Sequence, residues 1–243
     1  MFNTLKKHLK KSIANNGWFT RKIAGLPAGI LLDADWHHAQ LPEPEVIFDV
    51  GAHRGETCVA FADFFPKAHL HAFEPVRENF TTLCELTRNL PQVYCHAFAL
   101  GESIEKITIQ LQADSQTHSL QFQQNSGPAP SGRAEEIEVQ TVDAFAQATG
   151  LKKIDLLKID TEGFELPVLR GAIDLLQRRA IRAVFLEASL LAGDKVHTPL
   201  PAALAFLENH GFQLAAIYDQ NLLPKPTPHL AYFNALFVHP RPA

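Results

Sequence analysis

Short apolar runs that end on an acid recur along this chain, and between them apolar residues return at helical spacing. Val46, Ile47, Phe48 and Val50 are the β-branched and aromatic residues of a buried strand, which carries Asp49 and breaks at Gly51. Gly51 and Gly55 bracket a turn, after which Val59, Ala60, Phe61, Phe64 and Phe65 mark a helix over Glu56 to Phe65 that Pro66 closes. His69 to Phe73 predicts a second strand ending at Glu74. Val76 to Leu90 restores helical periodicity through Phe80, Leu83, Cys84 and Leu90, and Val93 to Leu100 predicts a third strand ending at Gly101. Alternation of this kind predicts a parallel sheet with crossover helices.

The middle of the chain breaks that rhythm. Ile107, Ile109 and Leu111 alternate with polar residues, as do Ile137 and Val139, which predicts two half-exposed strands paired as a hairpin, inserted over about residues 102–142. Between them Ala113 to Ala134 is rich in Ser, Gln, Gly and Pro, and a loop of that length is a candidate cover for a substrate. Parallel order resumes with the strand Ile154 to Asp160, followed by Thr161, Glu162 and Gly163. A helix then has Pro167 in its first turn and Leu169, Ile173 and Leu176 on its inner face. Arg182 to Glu187 predicts another strand, and Leu200 to His210 a helix ended by Gly211. Phe212 to Tyr218 and Tyr232 to Val238 are joined through Pro224, Pro226 and Pro228 and most simply pair antiparallel at a sheet edge.

Before all this, Met1 to Ile13 spaces Phe2, Leu5, Leu9 and Ile13 as one helical face, with Lys6, Lys7, Lys10 and Lys11 between them. Such a helix packs on its own domain or a partner subunit, or makes a peripheral contact with an anionic membrane surface. Leu26 to Glu45, punctuated by Pro27, Pro42 and Pro44, reads as a connector. The expected organisation is therefore an N-terminal helix and connector over 1–45 and one α/β domain over 46–243, for which 243 residues with 46% hydrophobic side chains suffice. A formal net charge of -4 argues against nucleic acid as a partner. Cys58, Cys84 and Cys95 lack zinc-like or CxxC spacing and fit free thiols in a reducing compartment. No apolar stretch approaches the roughly twenty residues of a membrane span, and the N-terminus lacks the continuous apolar core of a secretory signal, so the expected location is the cytoplasm.

Asp49, Glu74 and Asp160 stand at the ends of predicted parallel strands, where ligands of open α/β sheets bind. Glu74, slightly over twenty residues beyond the glycine turn, is placed to accept both ribose hydroxyls of a nucleoside. The turn Gly51-Ala52-His53-Arg54-Gly55 lacks the middle glycine of GxGxxG, which favours a ligand without a pyrophosphate. Asp49 could accept a hydrogen bond from a cationic amine, directly or through water, which suits S-adenosylmethionine. Two alternatives are a nicotinamide-dependent oxidoreductase, weakened by the missing glycine and the lack of a YxxxK pair, and a non-catalytic nucleoside-binding partner of a larger complex.

The stretches VIFDVGAHRGET, HAFEPVRENF, FALG ending at Gly101, and LLKIDTEGFELPVLRGA, in that order, resemble S-adenosylmethionine-dependent methyltransferases of the FkbM type. The resemblance covers Val46 to about Ser189, with weaker similarity in the N-terminal LPAG and the closing strand. It implies a Rossmann-like class I methyltransferase fold, a seven-stranded mostly parallel sheet with an antiparallel last strand, here carrying an inserted β-hairpin. It also implies that Asp49, Gly51, Ala52 and Gly55 line the methionine end, Glu74 holds the ribose, and Ala99 and Leu100 border the adenine. His53 and Pro75 complete the candidate cofactor set, and Asp160 faces the sulfonium or the substrate. Members typically methylate hydroxyl groups of small molecules or sugars, so the implied partner is a small-molecule or glycan acceptor.

Methyl transfer is an in-line displacement at a carbon already activated by positive sulfur, and the acceptor hydroxyl must lose a proton. Asp160, Glu162 and Glu187 fall at neighbouring strand ends, and any of them could serve as general base. Two of them could instead hold a divalent cation that lowers the hydroxyl pKa. Glu162, beside Gly163, could equally support a helix start, and Lys158 could pair with one of the carboxylates. The twelve histidines show no HxxxH spacing, and His53 in the turn is the one selected as a candidate.

Overall fold

The structure is a computed structural model that describes residues 28–111, 133–223 and 229–240. The chain divides into two compact units, residues 1–41 and 42–243. In the first, α1 (Leu32–His38) forms within the expected connector and buries Leu32, Ala34 and Trp36. Asp33 and Asp35 in its first turn and His37 and His38 in its last complement the helix dipole. The amphipathic segment Met1 to Ile13 lies outside the described residues.

In the second unit β1 (Val46–Val50), α2 (Glu56–Phe64), β2 (His69–Phe73), α3 (Arg77–Thr87) and β3 (Val93–His96) alternate as the periodicity predicts. There follow β4 (Ala99–Leu100), β5 (Glu105–Leu111), β6 (Arg133–Gln140), α4 (Val142–Thr149) and β7 (Ile154–Ile159). The chain continues through α5 (Glu165–Arg170), α6 (Ile173–Gln177), β8 (Ile181–Ser189), α7 (Leu200–Glu208), β9 (Gln213–Leu223) and β10 (His229–Val238). The main sheet has seven strands in the order β3-β2-β1-β7-β8-β10-β9, with β10 antiparallel to both neighbours and the rest parallel. β1 and β7 are buried at every position, as central strands covered on both faces require. Among the described residues no helix is long and apolar enough to cross a membrane.

Two local expectations change. The strand expected over Val93 to Leu100 is two: the chain leaves the main sheet after His96, and Ala99–Leu100 pairs in parallel with Val139–Gln140. Phe98 drives that bend by packing its ring 5.6 Å from Phe73 and 5.9 Å from Phe145, inside an aromatic cluster. The inserted hairpin β5–β6 is antiparallel, and with β4 it makes a second, three-stranded sheet whose Ile109, Ile137 and Val139 pack on Val76 and Ala99. Most of the loop Ala113 to Ala134 lies outside the described residues.

The helix α4 follows β6 directly. The Thr141 hydroxyl caps it by accepting the Ala144 N–H at 3.0 Å, and Gly150 ends it in the left-handed conformation. The single helix expected beyond Asp160 is broken into α5 and α6 at Gly171 and Ala172. There the backbone crosses Gly101 so closely that a Cβ on Gly171 would lie 1.9 Å from the Gly101 carbonyl oxygen. The Asp143 carboxylate then accepts the N–H groups of Asp174 at 2.8 Å and Leu175 at 3.1 Å, restarting the helix with Leu175 and Leu176 buried and Ile173 half-buried.

Two charges sit inside the central strands. Asp49 of β1 and Lys158 of β7 are register partners, and the Lys158 Nζ lies 2.7 Å from Asp49 Oδ1. The same ammonium donates to the Gly51 carbonyl at 3.2 Å, and the Cys58 thiol donates to Asp49 Oδ2 at 3.1 Å. Burial alone would lower the Lys158 pKa, but the carboxylates of Asp49 and Asp160 outweigh it and hold the ammonium charged. Directly above, Gly51 takes φ +75°, and a Cβ there would lie 1.9 Å from the Asp160 carbonyl oxygen, so the turn admits only glycine. Lys158→Met, which strands a buried carboxylate, is expected to cost about 3–5 kcal/mol in urea unfolding, whereas adding Asp49→Asn recovers part of that loss. A single-variant cost below about 1 kcal/mol would show that the pair does not hold the strands.

Candidate active site

A cavity of about 290 Å³ opens at the carboxyl ends of β1, β2, β7 and β8, under the small sheet. That is where a topological switch of the parallel order leaves a crevice. One wall is apolar, made by Val50, Phe73, Val76, Ala99, Leu100 and Ile109, the last supplied by the inserted hairpin. Pro75 and Asn79 complete this end.

Glu74, just past β2, is the polar group of this half, buried with 5% of its surface exposed. Its two oxygens accept one backbone N–H each, Oε2 from His53 and Oε1 from Val76, both at 2.9 Å. Burial pushes its pKa up to about 7 against these hydrogen bonds and that of the Asn79 side chain. Glu74 thereby ties the β1 turn to the β2 end. The other turn amides are also used: Gly51 and Ala52 donate to the Phe73 carbonyl at 3.1 and 3.0 Å, and Gly55 donates to Ala52 at 2.9 Å. Those amides make no cradle for a pyrophosphate, which a dinucleotide-binding turn provides.

The other half is acidic. Asp160 at the end of β7, Glu162 in the loop after it and Glu187 on β8 all line the cavity. Glu162 has φ +53°, unusual for a residue with a side chain, and Glu165 holds the loop in this form. The Glu165 Oε1 accepts the Thr161 N–H at 2.9 Å, the Thr161 hydroxyl at 3.0 Å and the Gly163 N–H at 3.2 Å. Its other oxygen accepts the Thr198 hydroxyl. Burial, then the carboxylates of Asp160, Glu165 and Asp194, push Glu162 up to about 7. Burial, then Asp160, Glu162 and Glu165, push Glu187 up to about 9, with Lys158 opposing. Lys158 relieves little of this, since its Nζ is 3.6 Å from Asp160 and sits against Asp49.

The structure thus brings Gly51, His53, Glu74, Pro75, Ala99, Leu100, Asp160, Glu162 and Glu187 to one cavity. Asp49 and Ala52 are buried beneath the turn and do not line it, and Gly55 is the residue before α2. The acid of the first turn of α5 is Glu165, so Glu162 faces the cavity and does not support a helix start. Lys158 pairs first with Asp49, a partner that strand periodicity alone could not have selected. His53 lines the cavity, and burial lowers its pKa. The histidine that meets the acids is His197, whose Nε2 lies 3.6 Å from Glu187 Oε2. No spacing pattern marks it, because it lies in the loop between β8 and α7. Glu165 carried a weak signal, an acid two residues beyond Gly163 at a helix start.

The family model for the methyltransferase FkbM domain matches residues 49–214, which include every wall of the cavity. Methyltransferase 1 of Beauveria bassiana is 28% identical over 204 residues, covering 76% of this chain and 79% of that protein. The AMB antimetabolite synthetase AmbE of Pseudomonas aeruginosa is 26% identical over 212 residues, covering 74% of this chain and 10% of the synthetase. Among solved structures, the N-terminal domain of EvdMO1 in the presence of SAH and D-fucose aligns with a TM-score of 0.46 at 12% identity, over 86% of this chain and 81% of that one. With the match spanning well over half its length, the chain belongs to the FkbM family of methyltransferases.

Proposed function

We propose that the protein transfers a methyl group from S-adenosylmethionine to a hydroxyl of a small molecule or sugar. The observation that carries this reading is the division of one cavity into an apolar half with a single buried carboxylate and a half lined by three carboxylates. Glu74 and Glu187 belong to strands three places apart in the sheet, on the order of 14 Å, which is the scale of an extended nucleoside with a side chain. Adenine occupies the wall of Phe73, Ala99, Leu100 and Ile109. Glu74 accepts the ribose hydroxyls, and the sulfonium faces Asp160.

The acceptor enters beside Asp160, Glu162 and Glu187. Its hydroxyl proton passes to one of these carboxylates as the oxygen lone pair forms a bond to the methyl carbon. The carbon–sulfur pair returns to sulfur, leaving S-adenosylhomocysteine. Glu162, pushed up to about 7, can take a proton near neutrality, whereas Glu187, pushed up to about 9, already holds one there, so Asp160 and Glu162 are the acceptors this edge offers. The internally bonded turn amides disfavour a nicotinamide dinucleotide.

Two measurements test this reading. In a thermal-shift assay S-adenosylhomocysteine and S-adenosylmethionine are expected to raise the melting temperature and NAD to leave it unchanged; stabilisation by NAD alone would overturn the reading. Methyl-labelled donor incubated with hydroxylated acceptors then reports turnover, and Asp160→Asn is expected to lower it while leaving binding of the uncharged product S-adenosylhomocysteine intact.

Without ligand the Glu74 carboxyl keeps its proton up to about pH 7, whereas an unfolded chain releases it near 4.5. Folded chains therefore hold the extra proton between those values, and this group's contribution to stability falls as pH rises through that window. Ribose hydroxyls need the ionised form, so S-adenosylhomocysteine affinity is expected to rise about tenfold from pH 6 to pH 8 by calorimetry. Glu74→Ala is expected to bind more weakly and to lose that slope; an unchanged slope would remove Glu74 from the ribose site.

A further inference from the structure

We propose that Glu162, Glu187 and His197 form a site for a divalent transition-metal cation at the acceptor end of the cavity. The proposal rests on the methyl-transfer reading for its purpose, while its geometry stands alone. One ligand atom from each residue lies within 4.8 Å of the others. The three come from separate segments, the β7–α5 loop, β8 and the β8–α7 loop, so the tertiary fold assembles them.

His197 is oriented as a metal-binding imidazole is. Its Nδ1 lies 2.8 Å from Asp194 Oδ2, while Asp194 Oδ1 accepts the N–H groups of Val196 at 2.8 Å and His197 at 3.1 Å. The imidazole ring also stacks on Tyr232 at 4.3 Å and 11°. A carboxylate on Nδ1 places the ring proton there and leaves Nε2 with its lone pair on the Glu187 side, the carboxylate–histidine–metal arrangement.

The side chains of Glu187 and His197 are only 14% and 15% exposed, so bulk water does little to relieve the crowded carboxylates. The neighbouring ammonium of Lys158 is engaged with Asp49. One imidazole nitrogen with two carboxylates suits Mn²⁺, Fe²⁺ or Zn²⁺ better than Mg²⁺ or Ca²⁺, which favour oxygen alone. Because Glu162 and Glu187 line the cavity, an acceptor oxygen can take an open coordination position, where the cation lowers the hydroxyl pKa. Asp160, left outside the coordination set, then accepts the proton.

The test is calorimetric titration of MnCl₂ into the chelator-treated full chain, with paramagnetic resonance reporting loss of the free aquo-ion signal. One saturable site per chain is expected. His197→Ala, His197→Gln and Glu187→Gln should each weaken it by about tenfold or more, and Asp194→Asn by about ten- to a hundredfold. S-adenosylhomocysteine thermal shifts on the same variants report folding and donor binding separately. No saturable binding, or an affinity that both His197 variants leave unchanged, would overturn the site while an intact thermal shift preserves the methyl-donor reading. A carboxylate pair that serves only the sulfonium would show itself as Glu162→Gln and Glu187→Gln losing S-adenosylmethionine selectively, with no Mn²⁺ heat in the parent, and would overturn it too.

Discussion

The buried pair of Asp49 and Lys158 sets the electrostatics of the whole carboxyl edge. Taking two charges out of water costs several kcal/mol per ion, repaid only where geometry and hydrogen bonds are good. Here the ammonium reaches Asp49 at 2.7 Å and the Gly51 carbonyl at 3.2 Å, joining β1, β7 and the turn through one atom. Having been committed to Asp49, it stands at 3.6 Å from Asp160 and compensates the remaining acids poorly. Burial raises the pKa values of Glu162 and Glu187 first, and crowding among three carboxylates whose nearest interior cation is already engaged raises them further. An edge so arranged attracts protons and cations.

At the other end the same economy of donors shapes what can bind. Glu74 lies between the N–H groups of His53 and Val76 and fixes the distance between two strand ends. A carboxylate offers roughly four lone-pair positions, so a ribose hydroxyl takes the position that His53, Val76 and Asn79 leave, and a second hydroxyl would displace the Asn79 side chain. A phosphate would find the reverse, because the amides of Gly51, Ala52, His53 and Gly55 already have acceptors. The turn therefore has few amides left to offer an anion, by what it has used up as much as by what it presents.

Much of this was legible in the chain, and the parts that were not share a cause. Buried strands announce themselves by composition, and β1, β2 and β7 end where VIFDV, HLHAF and LLKI run out, so Glu74 and Asp160 could be placed beforehand, whereas β8 runs two residues beyond Glu187, to Ser189. Periodicity says nothing of where a strand changes sheets, and Val93 to Leu100 reads as continuous because Phe98 is as apolar as its neighbours. Side-chain direction at a strand end is equally silent: Asp49 points down into the sheet toward Lys158, whereas Asp160 opens to the cavity. His197 lacks any local pattern, since its neighbours in space are fixed by the return of the chain from β8 to α7.

That return is not independent of the acid loop. Glu165 is fully buried, and burial raises its pKa against the hydrogen bonds it accepts. Through Thr161 and Gly163 it keeps Glu162 in a left-handed conformation that costs about 1–3 kcal/mol on its own. Through the hydroxyl of Thr198 it holds the residue next to His197. One carboxylate on the first turn of α5 thus positions both flanks of the acid cluster, while Glu187 between them is carried by the rigid strand β8. Conformational cost at Glu162 is tolerated because it lets a side chain on a loop reach the same point as a side chain on a sheet, and without Glu165 the loop would relax and the convergence of the three groups would go with it.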